Sequence, residues 1–166
     1  MRIRILWRAR RNFQSCEDGQ AMIETALSSA FLLFILLGAL EVGMLTNAAI
    51  AVANSARAAA QYAAMNGGAW TRKGLDSTGM LAAAQADAGK LVGDVTFTTA
   101  PTYTCRCTGS GVADCSTAPP TGCTASHLQV TITVMTQADY TPPIRVPGLD
   151  FSHFTLKGYA QQEVLQ

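Results

Sequence analysis

Histidine is nearly absent from this chain, which holds only His127 and His153. Neither stands inside a motif, and there is no G-x-S-x-G elbow, no Gly-rich phosphate loop and no metal-ligand pair. An enzyme needs a nucleophile, a base and an orienting group, or a bound metal. We therefore expect no catalytic residues, no metal and no cofactor, and read both histidines as structural or surface groups. Charge is scarce as well, at 14 % of residues, with 12 Lys and Arg against 11 Asp and Glu. A balance this close to zero gives no reason to expect a nucleic-acid partner. From Thr25 to Leu40 charge is missing altogether.

The few bases present are unevenly placed. Arg2, Arg4, Arg8, Arg10 and Arg11 crowd the start, and no further base follows until Arg57. A basic block ahead of a long apolar run is a membrane-insertion signal that keeps the N-terminus in the cytoplasm. Extended to Thr46, the apolar run admits only Glu41 and supplies the roughly 20 residues a helix needs to cross hydrocarbon. Two other readings stand beside this one. Ala56, Arg57 and Ala58 resemble a signal-peptidase site, although helix formers continue past the length of a usual signal, and the segment could also be a generic single-pass anchor.

Beyond Thr46 the apolar character thins to alanine. Asn47, Asn54, Arg57 and Gln61 fall within about 80° of one another at helical pitch, while Ala49, Val52, Ala56, Ala60 and Ala63 form a small-residue face opposite. Asn66, Gly67 and Gly68 give a stop. The spacing predicts one helix from about Gln20 to Asn66, on the order of 70 Å long at 1.5 Å per residue. After a loop holding Trp70, the segment from Leu75 to Val92 has Met80, Leu81, Ala84, Ala88 and Leu91 near helical spacing. Val95 to Tyr103 alternates like a strand. His127 to Thr136 does so more clearly, with Leu128, Val130, Ile132 and Val134 on one face and Gln129, Thr131, Thr133 and Met135 on the other. Pro142, Pro143, Pro147 and Gly148 make a long turn before a last strand, Phe154 to Val164, with Leu156 and Tyr159 as inward candidates.

The expected fold class is α+β, with a long N-terminal helix and a short helix packed on a small antiparallel sheet. The organisation reads as a cytoplasmic basic leader (1–19), a transmembrane half of the helix (20–46), its extracytoplasmic half (47–66) and an extracytoplasmic domain (67–166). At 166 residues there is no room for a second full domain.

Cys105, Cys107, Cys115 and Cys123 lie in a stretch otherwise made mostly of Thr, Gly, Ser, Ala and Pro, a composition that predicts a loop over 105–123. Outside the inner membrane an even cysteine set usually forms disulfides, and four cysteines allow three connectivities. We expect two bridges. A metal site using these thiols with His127 is the alternative, but no C-x-x-C pair is present and the spacings fit no familiar zinc template. Cys16, on the cytoplasmic side, reads as a reduced thiol.

The most informative stretch is Glu17-Asp18-Gly19-Gln20-Ala21-Met22-Ile23-Glu24. It sets a glycine between the charged leader and the apolar helix, with a carboxylate five residues later. Cleavage after Gly19 would leave Gln20 as the new N-terminus, put Glu24 fifth in the mature chain, and remove the five leader arginines. Glycine suits a protease site because it lets the backbone extend without a side-chain clash. Each residue also has a plainer reading, Gly19 as a helix-start residue and Glu24 as a favourable first-turn charge. Taken together, at the edge of a hydrocarbon-length segment where a carboxylate is costly to bury, they favour processing. The compensating cation for Glu24 would be the α-amino group freed at Gln20, its own or a neighbour's. Glu41, about 25 Å further along the helix, is the poorer candidate for assembly, because near the opposite interface it can reach water.

With these residues the chain resembles the type IV prepilin superfamily, and most closely the TadE-like (TadE/TadG) minor pseudopilins of tight-adherence (Tad/Flp) pilus systems. The resemblance rests on Gly19 and Glu24, on Leu36-Leu37-Gly38-Ala39-Leu40-Glu41-Val42-Gly43 closing an apolar stretch with a second glutamate, and on Val130-Thr131-Ile132-Thr133-Val134 followed by Tyr140-Thr141-Pro142. It implies cleavage by a prepilin peptidase on the cytoplasmic face. It also implies a structural or assembly role in pilus biogenesis and surface adhesion, with other pilin or pseudopilin subunits, an inner-membrane assembly platform and the lipid bilayer as partners. The chain would sit in the bacterial inner membrane by a single span, its C-terminal domain periplasmic or carried out on a filament. The four-cysteine loop departs from the family pattern. It leaves a second function open, a membrane-tethered binding module that presents a disulfide-stapled loop.

Overall fold

The computed structural model describes residues 3–66, 74–89, 92–107, 112–113, 128–143 and 153–165, with side chains left out at 3–18, 112–113 and 165. The chain divides into two compact units, residues 1–43 and 44–166.

The first unit is helical. Helix α1 runs Ile3–Met65, so it begins within the leader and not near Gln20 as the sequence predicts. The seven consecutive residues Phe31 to Leu37 are all exposed, from 70 % at Phe34 to 45 % at Leu37, and seven consecutive residues cover every direction around a helix. A helix apolar on every side belongs in apolar surroundings, a membrane or the core of a larger assembly. The helix is long and apolar enough to cross a bilayer.

In the second unit α1 changes character. Ala48, Val52, Ser55, Ala56, Ala59, Ala60 and Ala63 are buried at intervals of three and four, while Asn47, Asn54, Arg57 and Gln61 are exposed. The predicted small-residue face holds except at Ala49, which is exposed. Ala48 takes its place because it lies one full turn before Val52. Helix α2 (Ser77–Ala88) buries Met80, Ala84 and Ala88 at strict four-residue spacing. It is shorter than the predicted Leu75 to Val92. Asp76 caps its start by accepting from the Gly79 backbone N–H at 3.1 Å, and Gly89 ends it at φ 65°, a conformation that costs glycine little. Tyr62 of α1 donates to the second oxygen of the same Asp76 at 3.2 Å, which ties the two helices together.

The sheet is antiparallel: β1 (Thr96–Phe97), β2 (Thr102–Cys107), β3 (Val112–Ala113), β4 (Leu128–Tyr140) and β5 (Phe154–Leu165). Strand β4 is its centre. β5 pairs with it from Gln129↔Leu165 to Tyr140↔Phe154, which leaves β2 and β1 to share the other side; β3 pairs with β2. The single strand predicted for Val95 to Tyr103 is therefore two, with Pro101, which has no N–H to donate, in the gap between them. Leu128, Val130, Ile132 and Val134 are buried as predicted. Tyr159 is not inward: it is 55 % exposed and pairs with Met135 on the outer face. Leu156 is half-buried against the core. The two stand three apart, so strand alternation sets them on opposite faces.

Cys105 and Cys107 are also placed differently from expectation, since both lie on β2 and not in a loop. They sit two residues apart on the inner side of the strand, at 1 % and 6 % exposure.

Helix and sheet approach closely at Val52. On β4 the buried Thr136 hydroxyl donates to the Val52 carbonyl oxygen of α1 at 3.0 Å. The Ser55 hydroxyl donates to the same oxygen at 2.7 Å and lies 3.3 Å from Thr136 Oγ1. Opposite Thr136 in register stands Gly158 of β5. A Cβ at Gly158 would run into the Val52 carbonyl oxygen and stand 2.6 Å from Thr136 Oγ1. Only a residue without a side chain admits the helix this close.

Two tests follow. Gly158→Ala should destabilise the detergent-solubilised chain by about 1–3 kcal/mol, the range for overpacking a tight site, measured by urea unfolding. Gly38→Ala, which meets nothing within 4 Å, should leave the midpoint in place. Separately, the hydrogen bond to Asp76, followed by the negative charge of that carboxylate, raises the Tyr62 phenol above its ordinary 10.0. The folded value is the higher one, so this contact favours folding below pH about 10 and is lost as pH rises through the folded value. An NMR titration should find Tyr62 ionising later than the unfolded chain does, and Asp76→Ala should bring it back while costing about 1 kcal/mol of cap stability.

Candidate functional site

The junction residues Gly19, Gln20 and Glu24 all lie on α1 and all are exposed. Nothing stands within 4 Å of where a Gly19 Cβ would be. Glycine inside a helix weakens it by up to about 1 kcal/mol relative to alanine, so Gly19 loosens the helix where the charged leader meets the apolar segment, as Gly38 and Gly43 do further along. The hydroxyls just beyond are satisfied by the helix itself: Thr25 Oγ1 donates to the Ala21 carbonyl at 2.8 Å, and Ser29 Oγ to the Ala26 carbonyl at 2.9 Å. Back-bonding of this kind removes the need for water and lets polar residues stand in an apolar phase.

The two acids differ. Glu24 is exposed, whereas Glu41 is half-buried. Both Glu41 carboxylate oxygens are shielded from solvent and have no hydrogen-bond partner among the described residues. This corrects the expectation that Glu41 reaches water. The sequence gives no warning of it, because the expectation counts only distance along the helix and not the direction in which the side chain is held.

Cys105 and Cys107 are half-cystines. Cys115, Cys123 and His127 lie outside the described residues, as does the Cys16 side chain. His153 is exposed. Among the described residues no group of three His, Cys, Asp or Glu side chains could hold a metal ion. Cys105 and Cys107 are buried on the inner face of β2, alongside Val130 and Leu128, their register partners on β4.

No curated protein and no solved structure matches the chain. A family model does, and it falls on the residues just described. Residues 19–61, from the Gly19 junction through Glu24 and Glu41 to the alanine face of α1, match the TadE-like protein family, so this chain carries a TadE-like N-terminal helix.

Proposed function

We propose that the chain is a minor pseudopilin-like subunit of a Tad pilus or a related secretion machine, held in the inner membrane by α1 and cut after Gly19 by a prepilin peptidase. The observation that carries this reading is the exposed Gly19–Gln20 junction, ahead of Glu24, at the head of the stretch of α1 that exposes apolar side chains in every direction. The TadE-like match over residues 19–61 supports a pilus-associated role and contact with other pilus components. The leader arginines support an orientation with the N-terminus in the cytoplasm.

In this reading the leader holds the precursor in the bilayer until it is cut. Cleavage creates an α-amino group at Gln20, four residues and about 6 Å of helix rise from Glu24. Once α1 leaves lipid headgroups and water for a bundle of helices, Glu24 would be an isolated charge, and the new amine, its own or a neighbour's, offsets that cost. Intact mass of membrane-extracted protein should give a chain beginning at Gln20, and Gly19→Val should leave only the precursor. Retention of Met1, or a start near Ala58, overturns the processing step. Glu24→Gln should still be inserted and largely cleaved but should fail to support piliation in cells without the wild-type copy. Normal piliation would overturn the charge-pairing role of Glu24.

The domain lies in an oxidising compartment in this reading, and two half-cystines on β2 support a stapled segment following that strand. We assign Cys105 and Cys107 one bridge each, to Cys115 and Cys123. Alkylation without reduction should label none of these four, and reduction should cost about 2–4 kcal/mol for each bridge lost. Four labelled thiols would reject the assignment.

A further inference from the structure

Between Gly19 and Met65 helix α1 carries three charged side chains, Glu24, Glu41 and Arg57. Glu41 has two shielded oxygens and no hydrogen-bond donor among the described residues. Arg57 is exposed and donates only to Asn54 Oδ1, at 3.4 Å, with no carboxylate partner among the described residues. The helix therefore holds one shielded acid without a donor and one guanidinium with donors to spare.

Along one helix the two groups cannot meet. They are sixteen residues apart, about 24 Å of rise, and point about 160° away from each other around the axis. Between two parallel copies shifted by that rise, they stand level. We propose that Glu41 of one chain pairs with Arg57 of a second copy, the neighbouring helix being displaced by about 24 Å along the axis. This rests on the assembly reading given above.

Three features support the pairing. The groups are opposite in charge, and a guanidinium fork supplies the donors that both carboxylate oxygens lack. The Glu41 side chain must turn outward to meet an entering arginine, and Gly38, one turn before it, has no side chain to stand in the way. The near-opposite facing of the two groups also decides the kind of contact. A chain that uses its Glu41 on one neighbour still presents its Arg57 to another, so the contact is heterologous and repeats without closing, the geometry of a stack or filament. A free chain in the bilayer has no neighbour at this offset, so the pair forms only when one subunit is raised past the next. The remaining cation that cleavage would create, the amine at Gln20, lies twenty-one residues from Glu41 and needs a different offset, about 32 Å in the opposite sense.

The test is zero-length carbodiimide coupling, in membranes from cells carrying the rest of the assembly machinery, of a full-length chain carrying Arg57→Lys. The proposal expects dimers and higher adducts whose digest contains the Glu41 peptide joined to the introduced lysine, and their loss in the Glu41→Gln background. Exchange of charge gives the second arm. Glu41→Arg and Arg57→Glu should each lower recovered assemblies by about tenfold or more through like-charge repulsion, and the double variant should regain most of that loss. Insertion is checked by blotting in every case. An inserted, processed chain whose Glu41 couples to the Gln20 amine, or to nothing, overturns the pairing, as does a double variant no better than either single. Mass data with Met1 retained would instead sink the assembly reading itself, which keeps the two failures apart.

Discussion

The close approach of the α1 backbone to the sheet at Val52 is the constraint on which the rest of the second unit depends. Helices on sheets are usually held off by the side chains between them. Here Gly158 removes one of those side chains, and Thr136 and Ser55 turn the remaining contact into hydrogen bonds to a single carbonyl oxygen. A helix brought that near can present only small residues to either side, which is why its buried face is Ala48, Ala56, Ala59, Ala60 and Ala63 around Val52. Small residues on this face fit the backbone contact, and a larger residue beside Val52 would lift the helix off Thr136 and leave that buried hydroxyl without its Val52 acceptor.

The same helix meets a different requirement over residues 19–43. With apolar side chains outward on every side, no packing within the chain specifies which face meets which neighbour. In the proposed assembly, rotational and axial register would come from the few polar groups, and Glu24 and Glu41 are the charged ones in that stretch. A carboxylate in an apolar phase costs several kcal/mol when alone and much less when paired. That difference between paired and unpaired states discriminates one helix arrangement from the many that hydrophobic contact alone would accept.

How much of this was legible in the sequence depended on how local the cause was. The inward row of β4 could be read because each residue reports its own face through strict alternation, and the apolar helix could be read because its composition is uniform. Tyr159 misled for the opposite reason: its bulk suggested the core, although its neighbours at two-residue spacing, Lys157 and Gln161, belong to the solvent side. The cysteines misled through their surroundings. The Thr, Gly and Pro that follow them read as loop, while Thr102-Tyr103-Thr104-Cys105-Arg106-Cys107 already alternates polar with less polar residues and pairs along β4. The contact of Val52, Ser55, Thr136 and Gly158 lay beyond any single-segment pattern, since it joins residues more than eighty positions apart. A buried threonine, a helix serine and a strand glycine each look unremarked in isolation.

A core of this kind has a further consequence for the cysteines. Among the described residues its largest fully buried side chains are Met80 and Ile132, and much of the remainder is alanine and valine. At about 0.8 kcal/mol for each buried methylene group, small residues contribute little by burial, and a domain of this size has little surplus stability to begin with. Close packing recovers some dispersion energy but leaves a sheet whose side away from β5 is poorly held: β2 is six residues long, β1 and β3 two each. Cys105 and Cys107 stand on β2, facing inward against β4. A covalent link there restrains the unfolded chain without asking for more side-chain volume. Volume is what the closeness of α1 forbids, so cross-links are the stabilising device that this architecture can accept without moving the helix.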